Sequence, residues 1–121
     1  MERVKLLSHR GKNILLLDLS HSTPEETLTA IPVAKSMIGK FPAKSGLIMT
    51  DVKGAKYTKE VAEAIKNLTS YNTPFVKASA VVGAEGAAAI LLQTVIFISR
   101  RELKSFGTRD EALTWLSTAA H

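Results

Sequence analysis

The run "EGAAAILLQTVIFIS", residues 85–99, carries no charge between Glu85 and Arg100 and constrains the fold more than any other stretch. From Gly86 to Ser99 it is shorter than the roughly 20 residues a membrane-spanning helix needs. It is also longer than an ordinary strand, which is mostly about 5–6 residues. Ala87, Ala88, Ala89, Leu91, Leu92 and Gln93 are strong helix formers. The expectation is therefore a helix from Glu85 to Ser99, against the local β-propensity of Val95–Ile98. Beyond Glu85 its only polar residues are Gln93, Thr94 and Ser99, whereas one sheet face covers about half of a helix. The surplus apolar surface, carried by Ile90, Leu91, Val95, Phe97 and Ile98, must meet another helix, a second subunit or an apolar ligand. Packing against "VAKSMIGKF" accounts for one side, and a two-fold homodimer contact is favoured for the rest.

Around this run the chain alternates strand and helix signals. "RVKLLSHRGKNILLLDLS" reads as strands Val4–Ser8 and Asn13–Leu19, joined at Arg10-Gly11-Lys12, where Gly11 supplies a positive φ. The unbroken apolar run Ile14–Leu17 suits a strand covered on both faces. "SHSTPEE" opens a helix: Ser22 or Thr23 caps it, Pro24 needs no N–H there, and Glu25 and Glu26 favour the positive dipole end. Pro32 predicts a break or kink, with "VAKSMIGKF" completing the element and Pro42 ending it. Gly46–Val52 is the next strand. Thr58 caps an amphipathic helix with Val61, Ala64, Ile65 and Leu68 on its apolar side. Pro74–Val82 and Leu103–Phe106 are further strands. Thr108 and Glu111 form a T-x-x-E capping box before a helix that buries Ala112, Leu113, Trp115 and Leu116. The order ββαβαβαβα implies an α/β fold, with a mixed, mainly parallel sheet of about five strands and helices packed on it.

The length, 121 residues, suits one domain spanning 1–121. No cysteine is present, which removes thiolate nucleophiles, disulfides and cysteine-built metal sites. Charges interrupt the apolar residues of "MERVKLLSHRGKNILLLDL", so no secretory signal is expected there, and the cytoplasm is the expected compartment. The net charge of +5 comes from 16 basic against 11 acidic residues. These basic residues are spread along the chain and are not interleaved with aromatics, so a solubilising surface is favoured over a nucleic-acid site.

The segments "LIMTDVKG" (47–54), "FVKASAVVG" (75–83) and "SFGTRDEALTWL" (105–116) resemble the SpoIIAA-like family, of the STAS type found in anti-sigma-factor antagonists. A more distant likeness is to CRAL-TRIO lipid-binding domains. The resemblance implies a STAS-like fold over essentially the whole chain. It also implies a non-enzymatic module that binds proteins, nucleotides or lipids, of which a regulatory module with a protein partner and no cofactor is the favoured reading. In the antagonists the loop after the third strand reads Asp-Ser-Ser-Gly, and its second serine is phosphorylated. Here it reads Asp51-Val52-Lys53-Gly54, so Asp51 and Gly54 match while both serines are gone. The alternative that the likeness suggests is a small carrier or sensor, with an acyl chain along the apolar helix or an anion at the loop.

The residues set at the expected functional edge are Asp51, Lys53, Gly54, Lys56, Tyr57 and Thr58. Lysines beside a helix N-terminus could receive a phosphate, a nucleotide tail or an acidic headgroup. Asp18 and Asp51 each end a predicted parallel strand, where open α/β sheets place their sites. With His21 they could form a metal or acid–base set, but turn and cap chemistry explains them more simply. Ser8, His9 and Asp18 make no nucleophile elbow, because adjacent strand residues face opposite ways. No metal and no catalytic residue is expected.

Overall fold

The computed structural model describes residues 3–86, 89–90 and 102–118. The chain runs through β1 (Val4–His9), β2 (Lys12–Asp18), α1 (Pro24–Ile38), β3 (Gly46–Asp51), α2 (Lys59–Asn72), β4 (Val76–Val82), β5 (Glu102–Phe106) and α3 (Arg109–Thr118). The five strands lie side by side in chain order. β1 is antiparallel to β2, and every later pair is parallel. The hairpin turns on Arg10 and Gly11, with φ of 50° and 78°. Two successive positive φ values match the twist of a two-residue hairpin, and Gly11 takes the second of them without a Cβ penalty.

β2 lies inside the sheet, between β1 and β3, and both of its faces are greasy. Leu15 and Leu17 join Ile48, Val76, the Ala30, Ile31, Ala34 and Ile38 side of α1, and Leu68 of α2. Ile14 and Leu16 face the other way, onto Leu47, Met49, Ala78 and Ala80, under Ala112 and Leu116 of α3. Strand order and crossover handedness place α1 and α2 together on one face, leaving the other to α3. The Asn13–Leu19 and Pro74–Val82 expectations shift to Lys12–Asp18 and Val76–Val82, and β3 stops one residue early, at Asp51. β1 gains His9, which pairs with Lys12.

Most of the expected helix Glu85–Ser99, with Leu91, Val95, Phe97 and Ile98 of its interface set, lies outside the described residues. Of that set only Ile90 is described. Its amide donates to the Gly86 carbonyl at 3.2 Å, and the residue is 69% exposed.

Of the break or kink expected at Pro32, the break does not form. α1 continues through it unbroken and ends at Ile38, with Gly39 as its cap, short of Pro42. Pro32 has no N–H for the Leu28 carbonyl, but it lies on the exposed side of α1, where water can hydrate that carbonyl. The start of α1 offsets part of this weakness. Thr23 accepts from the Glu26 amide at 3.2 Å while the Glu26 carboxylate accepts from the Thr23 amide at 2.9 Å, a complete capping box. At α3 the Thr108 hydroxyl accepts from the Glu111 amide but donates to the Glu111 carboxylate, so only half of the expected box forms. Replacing Pro32 by alanine is expected to stabilise the protein by about 1 kcal/mol. The regained helix bond and relieved ring clash outweigh the lost stiffening of the unfolded chain. Thermal unfolding followed by circular dichroism checks the sign.

Candidate functional site

The parallel strands β2, β3 and β4 and the incoming β5 all end at one edge of the sheet, where their loops are stitched together by backbone bonds. The Leu19 amide donates to the Asp51 carbonyl, His21 to Lys53, Val52 to Val82, Lys56 to Ser22 and Gly83 to Phe106, all at 2.8–3.1 Å. Asp18 and Asp51 are direct neighbours across the β2–β3 pair. Two carboxylates side by side need a cation between them, and the first residue of α3 supplies it. Arg109 Nε donates to Asp51 Oδ2 at 2.7 Å, and its Nη2 lies 3.2 Å from Asp18 Oδ1. The Asp51 side chain is 9% exposed, while Arg109 keeps 39% of its own in water.

The carboxylates also shape the loops, Asp51 through its second oxygen and Asp18 through the same Oδ1 that faces Arg109. Asp51 Oδ1 accepts from the Lys53 amide at 3.0 Å, and Asp18 Oδ1 accepts from the Ser20 amide and hydroxyl. Partial burial pushes the Asp18 carboxyl up, but the Ser20 bonds and Arg109 outweigh it and hold Asp18 below the ordinary carboxylate range. For Arg109, burial works against the charge, and the two carboxylates more than restore it. On the other side of Asp18, Arg3 donates to the Asp18 carbonyl at 2.9 Å and the Ser20 carbonyl at 3.3 Å. It also pairs with Glu26 at 3.1 Å. The edge is thus pinned by two arginines, one from each end of the described chain.

The loop 52–58 crosses this pinned edge. Val52 is buried in the α1/α2 core, and Ala55 and Tyr57 pack against it. Burial pushes the Tyr57 phenol up to about 12, so it stays protonated at neutral pH. Thr58 caps α2, its hydroxyl accepting from the Val61 amide at 3.1 Å. Lys53, Lys56 and Lys59 are exposed. The amides of Lys53, Ala55 and Lys56 already donate to Asp51, Val52 and Ser22, so these three do not point outward at a ligand. Gly54 has φ +69°, and a Cβ there would overlap the His21 ring.

The structure therefore unites Asp51, Lys53, Gly54, Lys56, Tyr57 and Thr58 on one edge and adds Asp18. The Asp18–His21–Asp51 set does not assemble as a metal or acid–base site. Its carboxylates close on a guanidinium, and the His21 ring lies against Gly54. Among the described residues no group of three or more His, Cys, Asp or Glu side chains is placed to hold a metal ion. Ser8 and His9 sit at the opposite end of β1 from the Asp18 edge. Arg109 is the residue that the sequence reading missed. A cation opening a helix faces the positive dipole end, so "TRDE" carries a signal: such an arginine needs carboxylates from elsewhere.

No protein-family model matches this sequence, and no curated protein matches it. Solved structures do. An uncharacterised protein of the DUF3478 family from Shewanella loihica PV-4, described as having a SpoIIAA-like fold, superimposes with a TM-score of 0.71. That match has 15% identity and covers 93% of this chain and 91% of that one. An anti-sigma-factor antagonist (STAS) domain protein from Planctomyces limnophilus gives a TM-score of 0.63 at 11% identity, covering 95% of this chain and 98% of that one. At such identities the likeness speaks for architecture: this chain has the STAS, SpoIIAA-like fold.

Proposed function

We propose that this protein is a non-catalytic regulatory module, one domain over 1–121, that docks a protein partner on the carboxyl edge of its sheet. The observation that carries the reading is the Asp18–Arg109–Asp51 clasp. The two carboxylates best placed for chemistry are spent on each other's cation, which stiffens the loops instead of presenting reactive groups. What remains outward is a basic rim of Lys53, Lys56 and Lys59 on a fixed backbone. A preorganised rim of one sign favours a partner surface of the other sign, here an acidic one. The likeness to an antagonist-type domain supports partner binding as the mode of action. No phospho-switch on the Asp-Ser-Ser-Gly pattern is proposed, because Val52 and Lys53 carry no hydroxyl. No helix among the described residues is long and apolar enough to cross a membrane. The cytoplasm is the proposed compartment.

Photocrosslinkers placed at positions 53 and 56 should capture one discrete protein, which purified material should then bind in calorimetry. Reversing both charges, Lys53→Glu with Lys56→Glu, should weaken that complex at least about tenfold by losing two complementary contacts, without moving the melting temperature. A partner that binds the double variant unchanged would remove the basic rim from the mechanism. Native mass spectrometry of the same preparation reads self-association and retained ligand together. A homodimer is the expected assembly, built on the apolar residues around Ile90. A retained lipid, or a nucleotide released by the Lys53→Glu, Lys56→Glu variant, would favour a carrier instead.

A further inference from the structure

We propose that the opposite, amino edge of the sheet holds a second site, a cleft for a small phosphorylated molecule that also carries a planar apolar group. An open cleft of about 430 Å³ lies between the β1–β2 turn, the α1–β3 loop and the start of β4. That size is within the range of small-molecule sites. Three of its lining residues are Lys12, Lys44 and Lys77, and none is acidic. Three cations around one concavity with no counter-charge repel one another and focus a positive field into it, which an anion relieves.

Two of these lysines are placed by backbone irregularities, not by regular strand geometry. β3 pairs Gly46 with Val76 and then Leu47 with Ala78, so Lys77 is the extra residue of a bulge. The bulge sends Val76 into the α1/α2 core and Ala78 into the α3 core, and it re-aims the exposed Lys77 at the cleft. Lys44 adopts φ +55°, an unfavourable conformation for a side-chain-bearing residue. It is held there by its amide on the Pro74 carbonyl at 3.0 Å and its Nζ on the Thr73 carbonyl at 2.9 Å. The Thr73 bond uses one ammonium proton and fixes the charge, leaving two donors for a ligand. Phe41 lines the same cleft, half-buried, with its ring laid on Gly46, where a Cβ would come within 2.6 Å of it. Three gathered cations, one of them held in place, beside a flat apolar wall match a phosphate joined to a ring, the chemistry of a nucleoside phosphate.

The test is an amide-resolved NMR titration of the full chain with ADP and, separately, with inorganic pyrophosphate. ADP should give saturable shifts at Lys12, Asn13, Phe41, Lys44, Ser45 and Lys77. Lys12→Gln with Lys77→Gln should weaken ADP at least about tenfold, since each lysine supplies a charged contact. Phe41→Ala should weaken ADP but not pyrophosphate. Lys53→Gln with Lys56→Gln should leave ADP binding unchanged, which separates this site from the docking rim. The proposal is overturned by shifts that do not saturate or that map to residues 53–59. An unchanged affinity in the Lys12/Lys77 variant would overturn it too. So would oligonucleotides whose affinity rises with length, which would reassign the cleft to a nucleic-acid strand.

Discussion

Replacing Gly83 by alanine is expected to destabilise the protein by about 3 kcal/mol and to lower its melting temperature by about 10 °C. Gly83 closes β4 at φ +77°, where a Cβ costs about 1–2 kcal/mol by itself. The new methyl would also come 2.7 Å from Lys53 Cβ, 3.0 Å from its Cα and 3.2 Å from its N. Those atoms cannot swing aside as the tip of a long side chain would. Lys53 is tethered by its amide to Asp51 and by its carbonyl to the His21 amide. Overpacking against fixed backbone adds a further 1–3 kcal/mol or so. Gly11→Ala is the control: φ is +78° there, but nothing lies within 4 Å of the added Cβ. It should cost only the conformational part, about 1–2 kcal/mol. Urea unfolding of both variants separates the two terms, and equal losses would mean that Lys53 yields easily. A loop that yields could not hold the proposed rim in place.

Arg109→Ala is expected to cost about 2 kcal/mol, between the worth of an exposed pair and that of a fully buried one. Arg109 is partly exposed, but Asp51 is not, and truncation strands its carboxylate beside that of Asp18. Adding Asp51→Asn to Arg109→Ala removes the stranded charge while keeping an acceptor for the Lys53 amide. The double variant should regain about 1 kcal/mol, and the cycle should show clear coupling. Acid unfolding reports on the same cluster. Asp18 titrates lower in the folded state than its unfolded value of about 3.9, so it stabilises the fold above that pH. This contribution is complete above about pH 5 and is lost as pH falls through the depressed folded value. Arg109→Ala should flatten that acid-side loss, because one cause of the depression is gone. Urea midpoints measured at about pH 7, 5, 4 and 3 would show it. Parallel curves for wild type and variant would mean that Ser20 alone sets the Asp18 charge.

The alternation of elements was legible because each rests on local chemistry. Ile14–Leu17 announces a strand buried on both faces, Thr58 a helix cap, and Gly11 a tight turn. These outcomes depend on residues within a few positions of one another, and the chain carries them wherever it goes. The break expected at Pro32 does not form, because propensity counts the lost hydrogen bond but not the exposure of the freed carbonyl, which depends on how α1 lies on the sheet. Arg109 was invisible for a related reason: its partners lie 91 and 58 positions away in sequence, and only the parallel pairing of β2 with β3 brings them side by side. The lysines of the amino-edge cleft stand 32 and 33 residues apart, with no motif among them. A bulge and one left-handed residue gather them. Which segments coil and which extend can be read from neighbouring residues, because those choices are made within a turn or a strand. Which charges meet emerges only once the chain is folded, because long-range pairing is set by register and crossover, and neither is written in any short stretch of chain.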